Sequence, residues 1–202
     1  MSQVKAVSGA TGSEFDKLTA KAKEMGATTK FTATQSAEAF NYMAMAGWDS
    51  QQMLDGIEGI LNLAAASGED LGTTSDIVTD ALTAFGLKAS DAAHFSDVLA
   101  QSAASANTNV SMMGESFKYV APIAGAMKYS VEDTSLALGL MANASVKGSM
   151  AGTSLKTALA NMAAPTDKMA TAMKKYGISL TDSNGNMKTL KGVLDNLRSS
   201  LG

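Results

Sequence analysis

Cysteine is absent from the 202 residues and histidine occurs once. A disulfide framework is therefore excluded, and a zinc cluster of nitrogen and sulfur ligands cannot be assembled. With only two prolines, long stretches are free to be helical. No apolar run approaches the ~18 residues that mark a membrane span. The longest small-and-apolar patches, Tyr42 to Gly47 and Val120 to Met127, are far shorter. The start, Met1-Ser2-Gln3-Val4-Lys5, lacks the apolar core of a signal peptide. Charge is also scarce: charged residues make up 17%, the net charge is −3 and the pI about 5.1. This mild acidity supplies no basic stripe of the kind that nucleic-acid binding needs.

What is present is apolar and helical. Hydrophobic residues make up 46% of the chain, unlike a disordered sequence and enough to bury a sizeable core. Fourteen methionines read as adaptable core filling. Met53, Leu54, Ile57, Ile60, Leu61 and Ala64 form one stripe at helical spacing; Ile77, Val78, Ala81, Leu82 and Phe85 form another. Leu190, Val193, Leu194, Leu197 and Leu201 form a third.

Start and stop signals cut this pattern into about nine helices, an all-α fold. Ser13 opens the first, which runs to about Met25. Thr32 with Gln35 reads as a capping box, and Asp49 with Gln52 opens the helix after Gly47. A helix from about Glu69 ends at Gly86, a good residue for a left-handed stop. Ser90, Ser111 and Ser130 open the next three, with Pro122 expected to bend or split the middle one. Two more fit Ala151 to Met162 and Thr166 to Tyr176. Between residues 178 and 188 the period changes. Ile178-Ser179-Leu180-Thr181 alternates, Asn184-Gly185 is a turn signal, and the segment predicts a small β-hairpin before the last helix.

A period near 39 residues runs through the centre. Gly47, Gly86 and Gly125 lie 39 apart, and Ser67, Ser105 and Ser145 close similar alanine-rich runs. That length suits a helix-turn-helix unit. Trp48, between the Gly47 stop and the Asp49 cap, is expected to be buried as a staple on the following helix, toward Met53.

No motif carries chemistry. His94 has Asp91 and Asp97 at i−3 and i+3, an ordinary helix-surface arrangement. Gly148 to Ser154 lacks the lysine and the glycine spacing of a phosphate loop and reads as an inter-helix loop. Asp182 to Asn186 misplaces the glycine and lacks the glutamate of a calcium loop. Glu69-Asp70 and Glu132-Asp133 sit at predicted helix starts, where the macrodipole favours acids. Lys174-Lys175, Lys188 and Lys191 are too sparse for nucleic-acid recognition. No catalytic, cofactor-binding or metal-binding residue is assigned.

Several blocks resemble the conserved region of phage tail tape measure proteins of the TP901 type. They are Phe31 to Phe40, Met43 to Trp48, Leu61 to Ser67, Asp76 to Thr79, Asp97 to Ala100, Gly148 to Leu155, and the segment Gly177 to Met187. The resemblance covers roughly residues 30 to 200. It implies a structural, non-enzymatic role, with this chain a domain of a longer protein: residues 1–30 a helical lead-in, 31–202 the conserved core. It further implies a template for tail tube assembly and tail length that leaves during DNA injection. Implied partners are the tail tube protein, tail assembly chaperones, distal tail or baseplate proteins and other copies of itself. The implied location is the bacterial host cytoplasm during assembly, then the lumen of the virion tail. A generic helical-repeat interaction module is the alternative reading.

Overall fold

The computed structural model describes residues 1–184 and 187–201, the side chain of Leu201 excepted. Eleven α-helices are found among them: α1 Ser2–Ser8, α2 Ser13–Thr28, α3 Ala33–Met45, α4 Ser50–Ser67, α5 Leu71–Phe85, α6 Ala92–Ser105, α7 Val110–Ala126, α8 Val131–Asn143, α9 Gly148–Ala163, α10 Asp167–Lys175 and α11 Leu190–Leu201. A short 3-10 turn, Ala89–Asp91, leads into α6.

The count exceeds the nine expected, partly because of α1, which has neither apolar periodicity nor a capping side chain. Tertiary contact holds it: Val4 is buried and α1 packs on α3. Local capping signals work well elsewhere. Thr32 with Gln35 and Asp49 with Gln52 form complete capping boxes. Ser130 accepts from the Asp133 N–H and Thr166 from the Met169 N–H. Other starts shift by a residue or two. Gly12 rather than Ser13 precedes α2, Asn109 rather than Ser111 caps α7, and Asp70 caps α5.

Pro122 does not split α7, which runs unbroken from Val110 to Ala126. The proline faces solvent while Val120, Ala121 and Ala124 are buried beside it, so packing on both sides outweighs the lost backbone bond. The expected β-hairpin does not form. Among the described residues no strand is present; the segment shows one isolated antiparallel bridge, Thr181 to Met187, and the Lys188 N–H donates to the Leu180 carbonyl. The Ser179 hydroxyl donates to the Thr181 carbonyl and accepts from the Thr181 N–H, engaging backbone groups that a ladder would use. A lone two-stranded ribbon is also marginal in water. The turn residues Gly185 and Asn186 lie outside the described residues.

The helices stack in two layers. One layer runs α1, α3, α5, α7, α9, each packing on the next; the other runs α2, α4, α6, α8 and then α11. In the first layer α3, α5, α7 and α9 begin at Ala33, Leu71, Val110 and Gly148, spacings of 38, 39 and 38 residues. Equivalent positions follow this step. Phe40, Val78, Phe117 and Leu155 are all buried. Ala37, Ser75, Gly114 and Gly152 are buried and all small. A Cβ on Gly114 would strike the Ile77 side chain, and one on Gly152 would strike the Ser116 carbonyl. Small residues at one register therefore let neighbouring backbones approach. In the second layer Gly59 serves the same purpose: a Cβ there would lie 2.6 Å from the Ala93 nitrogen.

The glycine marks of the period are only partly equivalent. Gly86 adopts the left-handed conformation that ends α5, with φ 68°. Gly125 instead lies inside α7 against the Ala84 carbonyl, and the positive φ passes to Lys128 at 63°. The core between the layers centres on Phe117, which meets Phe85 and Phe95 edge-on with ring centroids 5.9 and 5.6 Å away. Trp48 is buried, its ring resting against Gly56, a turn beyond the expected Met53.

Candidate interaction surface

The residues that could carry chemistry do not converge. His94 bonds neither Asp91 nor Asp97; its Nε2 lies 2.5 Å from Glu132 Oε1, joining α6 to α8, with both side chains more than half exposed. Burial opposes ionisation of Glu132, but its own backbone N–H and the His94 ring outweigh it and hold the carboxyl below its ordinary pKa. A pair so open to water is a weak clip.

Gly148 to Ser154 is not a loop but the opening turns of α9. The Asn184 N–H donates to Asp182 Oδ1 in a local turn. Among the described residues no three His, Cys, Asp or Glu side chains gather to hold a metal ion, and no helix is long and apolar enough to cross a membrane.

What the fold builds instead are grooves between neighbouring helices of each layer. On the first layer, a groove of about 330 Å³ between α3 and α5 is lined by Glu38, Glu69 and Asp70 along with Phe31, Tyr42 and Leu71. The next, about 410 Å³ between α5 and α7, carries Asp80 and Lys118 over Ile77 and Phe117. Asp70 is held below its ordinary pKa, chiefly by the Thr73 hydroxyl and also by the Thr73 N–H. Asp76 is pushed up, first by burial and then by the charge of Asp80.

The second layer changes character along its length. Glu58 and Asn62 on α4, Asp97 and Gln101 on α6, and Leu136 and Leu140 on α8 stand 39 residues apart and are all exposed. The polar outer face thus becomes apolar on α8, beside a groove of about 300 Å³ against α6. Sequence reading missed these leucines because a leucine at helical spacing ordinarily signals core; only the 39-residue register shows them occupying outward positions.

The model of a family described as phage-related minor tail protein matches residues 19–202. A tape measure protein of Pneumococcus phage Dp-1 is 41% identical over 200 residues, 99% of this chain and 17% of that protein. A probable tape measure protein of Escherichia phage P2 is 29% identical over 201 residues, 98% of this chain and 25% of that protein. The chain thus spans a quarter or less of the length of these relatives. No solved structure matches.

Proposed function

The chain belongs to the phage-related minor tail protein family, and we propose that it is a non-enzymatic structural segment of a tail tape measure protein. The observation that carries this is the similarity across nearly its whole length to two proteins of that name. In this reading it acts within the template around which the tail tube assembles and which sets tail length. It leaves the tube when DNA is injected. It is made in the host cytoplasm and then resides in the tail lumen. Its partners are the tube protein, assembly chaperones, distal tail or baseplate proteins, and other copies of the same chain.

Within such a template this block is a folded station rather than a stretch of ruler. A continuous helix advances about 1.5 Å per residue, so 202 residues drawn out as helix would span about 300 Å. Here the same residues are cut into helices of 7 to 18 residues and stacked side by side, which shortens their reach several-fold. Residues 1–30 form the lead-in, whose two helices cover the first end of the stack as a cap does in repeat folds, and 31–202 form the core. The exposed Leu136 and Leu140 give the core an apolar face for a tail protein.

The test is an in-frame deletion of these residues in a phage that encodes them, with tails viewed by electron microscopy. The station reading expects tails that fail to assemble or attach. Intact tails shortened by about 300 Å would make the block ruler instead, and infectious tails of unchanged length would remove the proposed role.

A further inference from the structure

Charge is unevenly distributed along the stack. Residues 1–146 carry eight Lys or Arg against sixteen Asp or Glu, whereas residues 147–202 carry eight against three. Between 31 and 117 there are eleven acids, and the sole basic residue is Lys88. The net charge of −3 conceals an acidic body and a basic end.

Each part presents unpaired charge. On the first layer Glu38, Asp76 and Asp80 are exposed, and none of them has an ion-pair partner among the described residues. Burial and the neighbouring Asp80 penalise the ionised Asp76 carboxylate, and Lys118, which shares its groove, offsets them only in part; a further cation arriving there relieves the remaining strain. Lys30 lies over the Phe31 ring beside the α3–α5 groove, and Lys118 is also 3.8 Å from Glu115.

At the other end lies α10. It buries none of its nine residues, and no other helix packs along it. Lys168, Lys174 and Lys175 are exposed and make no ion pair among the described residues. Met169, Met173 and the exposed Tyr176 follow one another at helical spacing beside them. Such a helix suits a groove with apolar walls and acidic rims, and the α3–α5 groove is one: Phe31, Tyr42 and Leu71 with Glu38, Glu69 and Asp70.

The two surfaces do not meet within one molecule. α9 packs on α7, and α7 on α5, so at about 10 Å per helix the α9 end stands roughly 20 Å from α5. We propose that α10 of one copy docks on the acidic α3–α5 face of a second copy, giving a head-to-tail self-association. Such an interface is heterologous: it uses two different patches, and repeated around an axis it closes a ring or winds a helix. It also lets chains of like net charge associate, because the opposed patches, not the totals, face each other.

Sedimentation velocity on the 202-residue chain tests this, from micromolar to hundreds of micromolar protein. In about 0.05 M salt the sedimentation coefficient is expected to rise with concentration. In about 1 M salt, where the screening length is about 3 Å, it is expected to stay monomeric. Lys168→Glu/Lys174→Glu/Lys175→Glu is expected to weaken low-salt association at least about tenfold, and so is Glu38→Lys/Glu69→Lys in the α3–α5 groove. Circular dichroism should show both variants folded, since no altered side chain is buried. Mixing the two variants should restore association, because the reversed α10 of one then faces the reversed groove of the other. A wild-type chain that stays monomeric at low salt overturns the proposal. So do an oligomer that survives high salt or lysine reversal, and two monomeric variants that fail to pair when mixed.

Discussion

Gly152 and Gly139 are both buried helical glycines, yet their surroundings differ. A methyl on Gly152 would overlap the Ser116 carbonyl oxygen, whereas one on Gly139 would rest 3.4 Å from the Ala106 Cβ, an ordinary contact. Alanine ordinarily gains up to about 1 kcal/mol over glycine inside a helix. Gly139→Ala is therefore expected to be neutral or stabilising. Gly152→Ala must push α9 off α7, at a cost of about 1–3 kcal/mol. Denaturant titration of the two variants separates the outcomes, and equal midpoints would show that α7 and α9 are not in close backbone contact. A second residue-scale expectation concerns acid. Asp70 and Glu132 both have folded pKa values below their ordinary 3.8 and 4.5. Their contribution is present above those values and fades as pH falls through the folded ones. Stability should thus decline below about pH 4.5, and Asp70→Asn/Glu132→Gln should flatten that decline. Asp76 has the opposite sign, being raised: its ionised form opposes folding, so Asp76→Asn should raise the midpoint at neutral pH. Melting curves from pH 3 to 7 measure all three.

The elements are unequal in their support. α4 buries Met53, Ile57, Ile60, Leu61, Leu63 and Ala64, while α10 buries nothing. An isolated helix of nine residues is marginal in water. Its amides should therefore exchange fastest of any helix, by local opening and not by global unfolding. Hydrogen exchange read residue by residue checks this; protection in α10 matching that in α4 would mean a covering contact that the monomer does not show. The same inequality explains which elements were readable in advance. Helices with a buried stripe and a capping side chain, such as α3 and α4, are written in local spacing. α1 buries only Val4, and the 178–188 segment pairs through one isolated bridge and a few local bonds, so neither could be assigned from its own residues.

At the scale of the whole molecule, Phe117 links both layers. It lies on α7, fully buried, with Phe85 of α5 and Phe95 of α6 at its edges. Phe117→Ala should cost about 3–5 kcal/mol, and a loss below about 1 kcal/mol in chemical denaturation would show that the layers do not meet there. By itself the sequence determined the helical class, most helix boundaries, the 39-residue step and the exclusion of disulfides and of cysteine-ligated metal. These follow from short-range chemistry: apolar spacing sets a helix face, capping side chains satisfy terminal N–H groups, and missing residue types preclude chemistries. Only the tertiary structure decided which helices stack on which, that Pro122 is carried inside α7, that Gly148 to Ser154 is helix, and that Leu136 and Leu140 face outward. It also decided that Glu38, Glu69 and Asp70 line one groove while α10 stands uncovered at the far end. Those outcomes depend on contacts between residues roughly 38 positions apart. Local periodicity states that a face is apolar or charged, but what the face meets is set by packing across the stack.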